Sequence, residues 1–259
     1  MEYYHDPKVD KIAELILQSR RLTFFTGAGV STESGIPDFR SPGGIWERFD
    51  PDDFTYERFL NNPEARRKQW RLFRELSVDA APNRAHKAIA ELYNLGKLDC
   101  VITQNIDNLH QKAGVPYKRV LELHGNLHRF ICLNCRRRYP LDQIRNKAGE
   151  SDDPPVCEEC GGLLKADVVF FGEELPADIL NEAIKHACTC DLMIIVGSGL
   201  TVYPAAYLPA YAIDAGARLV IINLTPTPFD DRASIVINAK AGDTLSAIAR
   251  QVKDRLFYR

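Results

Sequence analysis

Leu22-Thr23-Phe24-Phe25-Thr26-Gly27-Ala28-Gly29-Val30-Ser31-Thr32 decides how the rest of the chain is read. A short apolar run stops at a glycine turn, as a buried strand does when it feeds a ligand-binding loop. Glycine at 27 and 29 lets backbone N–H groups approach a pyrophosphate. Taken alone, the turn is equally an ordinary strand-to-helix junction. Its third fingerprint position is Thr32 rather than Gly or Ala. No acidic residue ends a second strand about 20 residues later, as a dinucleotide site would have it.

The same alternation extends outward from this strand. Before it, Asp6 caps and Pro7 opens a helix whose apolar stripe is Val9, Ile12, Ala13, Ile16 and Leu17. After it, Asn83 caps a helix stopped by Gly96, and Cys100–Thr103, Val120–Leu123, Leu192–Val196, Leu219–Asn223 and Ile235–Ile237 read as strands. Helices are expected from Pro176 to Ala187, from Leu208 to Ala215 and from Asp243 to about Leu256. About six strands interleaved with helices predict an α/β fold, a parallel sheet covered on both faces. Two stretches break the pattern, 41–81 and 127–165, and are expected to form a smaller domain inserted in a larger one of 1–40, 82–126 and 166–259.

Composition narrows the function classes. The chain has 259 residues, 33 Lys plus Arg against 35 Asp plus Glu, and a net charge of -2. Such a balance is not that of a protein built to coat nucleic acid or an anionic membrane. No apolar run reaches the roughly 18 residues that span a bilayer. The first ten residues are polar and carry no signal-peptide core, so a cytoplasmic protein with reduced thiols is expected. Seven cysteines, an odd number, fit a disulfide framework poorly.

Four of those cysteines carry the strongest physical signal. Cys132-x-x-Cys135 and Cys157-x-x-Cys160, joined by residues 136–156, have the spacing of a tetrathiolate zinc knuckle, structural because no ligand position is spare. Redox pairs or an iron–sulfur cluster are the alternatives. Cys188 and Cys190 read as core or near-core thiols.

The polar clusters lie at strand ends, where open α/β sheets bind ligands. Phe39 and Arg40 offer a ring and a guanidinium to an anionic or heteroaromatic ligand. Gln104, Asn105, Asp107 and Asn108 can bind ribose hydroxyls or a carboxamide, although Asp107 or Asn108 could simply cap a helix. His124, at the end of the third strand and followed by Gly125, is a candidate general base. His5, His86, His110, His128 and His186 read as structural. Gly197-Ser198-Gly199 and Asn223 end two later strands.

Taken in order, Gly27-Ala28-Gly29-Val30-Ser31, Gly35-Ile36-Pro37-Asp38-Phe39-Arg40, Gln104-Asn105-Ile106-Asp107, His124-Gly125, the two cysteine pairs and Val169-Phe170-Phe171-Gly172-Glu173 resemble the sirtuins, NAD-dependent protein deacylases. The resemblance implies a Rossmann-like doubly wound sheet and a small domain made of a zinc module and a helical module. NAD, a co-substrate, would lie between them. It would contact Gly27, Ala28, Gly29, Ser31, Thr32, Phe39, Arg40, Gln104, Asn105, Ile106, Asp107, Gly197, Ser198, Asn223 and Ala241. An acetylated lysine peptide would add as a strand to Val169, Phe170, Phe171 and Gly172. The implied reaction begins with attack of the acyl oxygen on C1′ of the nicotinamide ribose, which releases nicotinamide. His124 then acts as base on a ribose hydroxyl, and the acyl group passes to the ribose.

Relatives that prefer acidic acyl groups pair a Tyr with an Arg in the small domain's helix. Here Trp70 and Phe73 align best with those positions, so neutral acyl groups, acetyl first, are expected. The alternatives are a mono-ADP-ribosyltransferase and a deacylase preferring other acyl groups. A zinc-ribbon module binding nucleic acid, with Arg136-Arg137-Arg138 as its support, is a third reading that the net charge opposes. Neither nucleic acid nor membrane is expected as a partner.

Overall fold

The structure is a computed structural model and describes residues 6–76, 80–148 and 153–257. Its strands are β1 (Leu22–Thr26), β2 (Leu98–Thr103), β3 (Val120–Glu122), β4 (Gly125–Cys132), β5 (Arg138–Pro140), β6 (Leu164–Val168), β7 (Leu192–Val196), β8 (Arg218–Ile222) and β9 (Ile235–Ile237). The apolar runs form a six-stranded parallel sheet of order β3-β2-β1-β7-β8-β9. Every residue of β1 and of β7 is buried, the consequence of helices on both faces.

Helix boundaries follow local chemistry. Asp6 accepts from the Lys8 amide and Pro7 opens the Pro7–Gln18 helix. Asn83 accepts from the amides of Ala85 and His86 to start Arg84–Asn94. On one face of the sheet, Ile12, Ile16, Ile89, Leu92, Leu245 and Ile248 pack on Phe24, Val101 and Ile194. On the other, Ala183, Ala187, Leu208 and Ala212 pack on Phe25, Ile102 and Ile195. Cys188 departs from expectation. It is exposed, while Cys190 and Cys100 are buried. Cys188 projects from the solvent side of the Ala177–Thr189 helix, whose buried residues are Ala183 and Ala187.

The two stretches that broke the alternation share one core. β5, β4 and β6 form a small antiparallel sheet in that order. Phe130, Tyr139, Ile144 and Leu164 from this sheet and its helix pack with Phe59, Trp70 and Phe73 from the first stretch. β4 and β6 were not expected from the sequence, and the expected junctions at 126/127 and 165/166 fall inside them.

The strand order reverses between β1 and β7, and there the loops after the two strands touch. Gly29 donates its N–H to Gly197 O at 2.9 Å. Gly197 has φ +62°, and a Cβ on it would stand 2.2 Å from the Val30 nitrogen. We therefore expect Gly197→Ala to lower stability by more than the roughly 1–2 kcal/mol that a left-handed backbone costs alone. Urea unfolding checks this, with a lower midpoint and an unchanged slope as the expected result.

Candidate active site and metal centre

The switch point leaves a crevice at the carboxyl ends of β1, β7 and β8, the place where open α/β sheets take nucleotides. Gly27 N is held by Val196 O and Val30 N by Gly27 O, while no acceptor among the described residues takes the Ala28 N–H. That unpaired donor lines a cavity of about 680 Å³ bounded also by Thr32, Arg40, Gln104, Ser198, Asn223 and Ala241. An amide without a partner, beside hydrogen-bonding side chains and the Arg40 guanidinium, fits a pyrophosphate and ribose better than an apolar ligand. Asn223 donates to Thr225 O at 2.8 Å.

The loop after β2 is built by side chains that bond to one another. Ser31 Oγ donates to Asp107 Oδ2 at 2.6 Å and accepts from Asn105 Nδ2 at 3.1 Å. Asn105 Nδ2 also donates to Gly27 O at 3.2 Å, and Gln104 Nε2 to Ser198 Oγ at 2.7 Å. Asp107 Oδ1 accepts from the Leu109 amide at 2.9 Å, so Asp107 holds the first amide of the Leu109–Lys112 helix and faces the site at once. Behind the loop, Thr26 Oγ1 donates to Thr103 Oγ1 and meets His110 Nε2, both at 2.9 Å. His110 and His86 are buried edge-to-face at 4.9 Å, and burial lowers both, His86 to about 4. His5 lies outside the described residues.

His124 stands between the sheets. Its Nδ1 lies 2.9 Å from Gln104 O. A carbonyl only accepts, so Nδ1 carries the proton and Nε2 is the basic nitrogen. Burial lowers the imidazole below its ordinary value of 6.5, which keeps it neutral at pH 7. The next residue, Gly125, has φ +79°, and a Cβ there would lie 2.1 Å from Asp167 O. The glycine beside the histidine is thus a packing requirement.

A second cavity of about 260 Å³ holds Ser31, Ile106 and Asp107 at one end and Val169, Phe170, Phe171 and Gly172 along its wall. Ala28, Phe39, Arg40, Gln104, Asn105 and His124 line both cavities. Every residue that the resemblance assigned to NAD or to the peptide borders one or the other. Trp70, in contrast, is 2% exposed and packs on Phe130, so of the two aligned acyl positions only Phe73 reaches the cavity. Residues not anticipated from sequence also line it, among them Ile45, Trp46, Phe54, Leu72 and Tyr203. The concentration of aromatics after Ser41 was the signal available for Trp46 and Phe54.

A Sir2 family model matches residues 27–204. The chain belongs to the Sir2 family. It is 46% identical, over 94% of its length and 93% of the relative's, to an NAD-dependent protein deacetylase of Caldivirga maquilingensis. A structure that addresses the mechanism and regulation of Sir2 enzymes superposes with a TM-score of 0.88 at 44% identity, covering 96% of this chain and 99% of that one. A Sir2 solved with a p53 peptide and NAD+ gives 0.84 at 38% identity, with 100% of both chains covered.

This Sir2-family chain also carries a metal centre. The Sγ atoms of Cys132, Cys135, Cys157 and Cys160 lie within 4.8 Å of one another. Cys132–Cys160 is 3.5 Å and Cys135–Cys157 is 3.6 Å. A tetrahedral zinc with Zn–S of about 2.3 Å spaces its sulfurs about 3.8 Å apart, so the four thiols fit one zinc. The Tyr139 hydroxyl, 3.1 Å from Cys157 Sγ, donates to it and lowers that thiol to about 6. We expect Cys132→Ser to purify with little zinc and an unfolded small sheet, since thiolate zinc sites in peptides are worth on the order of 10–16 kcal/mol. Metal content and circular dichroism read this directly. A folded, metal-free variant would remove zinc from the account.

Proposed function

We propose that the chain is an NAD-dependent protein lysine deacetylase that acts in the cytoplasm, where the four zinc-binding thiols stay reduced. The observation that carries this reading is the position of His124. One histidine lines both a polar cavity at the nucleotide switch point and an apolar channel walled by an exposed backbone segment.

The larger unit, proposed over 1–40, 82–126 and 166–259, supplies the dinucleotide side. The smaller, over 41–81 and 127–165, supplies Phe54, Leu72, Phe73 and Leu76 of the acyl channel. NAD, when bound, contributes the ribose that takes the acyl group and the nicotinamide that leaves. Gly27, Ala28, Gly29 and Thr32 hold the phosphates, and Ser198, Asn223 and Ala241 the adenosine end. Gln104 orients the ribose, and Ser31, Asn105, Ile106 and Asp107 form the carboxamide pocket. His124 Nε2 takes a proton from a ribose hydroxyl. Deacylation needs that base after nicotinamide has gone, which separates it from transfer of ADP-ribose alone.

The acyl end is read as neutral. Leu72, Phe73, Leu76 and Phe54 line it, and no arginine of the Pro63–Leu76 helix reaches the cavity. A carboxylate among those apolar side chains would be desolvated with no arginine of that helix to meet it.

The decisive assay is nicotinamide release from NAD with an acetyl-lysine peptide. His124→Ala is expected to cut deacetylation by roughly 10²–10⁴-fold, the usual contribution of a positioned base, and nicotinamide exchange by less. A loss of only a few-fold would take His124 out of the chemistry. Asp107→Asn should weaken nicotinamide inhibition more than peptide affinity, because an amide presents a donor where the carboxamide needs an acceptor.

The imidazole also sets a pH limb. Its protonated form cannot accept a proton, and its value is lowered, so kcat/KM should rise with pH along a limb lying below 6.5. A limb centred well above neutrality would contradict the assignment.

A further inference from the structure

Lys165 is only 5% exposed, although its side chain ends in an ammonium group. Its Nζ donates to Val168 O at 2.5 Å and to Glu173 Oε2 at 2.9 Å, and it lies over the Phe170 ring, 4.3 Å from the centroid. The same Glu173 oxygen accepts from the Phe170 amide at 2.7 Å. One ion pair therefore bridges the beginning and the end of the segment 168–173.

Three further backbone groups of that segment are tied to both sides of the cleft. Val169 N donates to His124 O at 2.9 Å, Phe171 N to Phe54 O at 3.1 Å, and Tyr56 N to Phe171 O at 2.9 Å. Among the described residues, no protein group pairs with the Val169 carbonyl or the Gly172 amide. These are the groups left for a strand added from outside. Phe170, beneath the ammonium, lines the acyl channel and stacks on Phe73 at 5.9 Å.

We propose that Lys165 and Glu173 form an ionic clip that holds 168–173 in the shape an incoming acyl-lysine polypeptide pairs with, which makes Lys165 a positioning residue for peptide binding. This rests on the deacetylase reading for its substrate. A buried ion pair is seldom there for stability, because an apolar residue of similar volume often serves as well or better. What a methionine could not do is fix Val168 O and the carboxylate that holds Phe170 N in one geometry. Lys165 itself does not line either cavity, so it acts through the strand and not on the reacting atoms.

The test compares Lys165→Met, Lys165→Arg, Glu173→Gln and the double variant Lys165→Met/Glu173→Gln in the full chain. Lys165→Met should raise the peptide KM about tenfold, the scale of one charge-assisted bond. kcat should stay within about threefold and the KM for NAD should not move. Lys165→Arg should recover most of the affinity. Acetyl-lysine without flanking residues should be used equally well by all variants, because it cannot pair along the strand. The double variant leaves no unpaired buried charge, so it keeps the test open if a single variant fails to fold. It should lose no more than either single change, as members of one unit do.

An unchanged peptide KM in Lys165→Met, an equal loss on isolated acetyl-lysine, or single effects that multiply would each overturn the clip. Calorimetric titration of the acetyl-lysine peptide gives the same comparison without turnover. If wild type binds the peptide but releases no nicotinamide from NAD, the deacetylase reading fails while the clip is still tested.

Discussion

Everything in the cleft depends on how the chain crosses from one sheet to the other. β3 ends at Glu122 and β4 begins at Gly125, so two residues, Leu123 and His124, make the crossing. Leu123 N is held by Thr103 O, His124 Nδ1 by Gln104 O, and Val169 N returns to His124 O, all at 2.9 Å. Gly125 must then turn with positive φ against Asp167. A backbone held from both sheets, and an imidazole held by the carbonyl just after β2, leave little freedom to lose on binding. That is how a fold pre-organises a base without a dedicated loop.

The parallel sheet could be read from the sequence because its strands are buried on both faces. Leu192–Val196 is a continuous apolar run and Leu22–Thr26 a mostly apolar one, and Asp6, Asn83 and Gly96 punctuate the helices around them. The small sheet could not. β4 carries Leu127, Phe130 and Ile131 without strict alternation, because Phe130 packs on Trp70 of the helical stretch while Cys132 turns to the thiol cluster. Its partners are set by tertiary contacts, and a period-2 pattern needs one face in water.

The candidate site divides in the same way. Residues whose chemistry is shown by type and position, such as His124, Asp107 and the paired cysteines, stand out in the sequence alone. Residues whose role comes from what they touch do not. Lys165 is one lysine among many until its ammonium is found over Phe170, and Trp46 is one aromatic until it lies 5.2 Å from Phe39, 5.5 Å from Phe54 and 5.9 Å from Phe171. Trp46 thereby joins the loop that lines the dinucleotide cavity to the wall of the acyl channel. Only packing reveals such a link.

Zinc enters this arrangement as a substitute for core. β5 is three residues long, and the small sheet has a helix on one side and the thiol cluster at its end. So small a unit buries too little apolar surface to stand alone. The four thiolates tie the β4 end, through Cys132 and Cys135, to the turn before β6, through Cys157 and Cys160. β6 in turn runs into Val168 and Val169, the start of the segment that meets His124 O. The metal lies at one end of the small sheet and the acyl channel at the other. Holding β4 and β6 in register is therefore enough for it to shape the cleft, and no chemistry at the ion is needed.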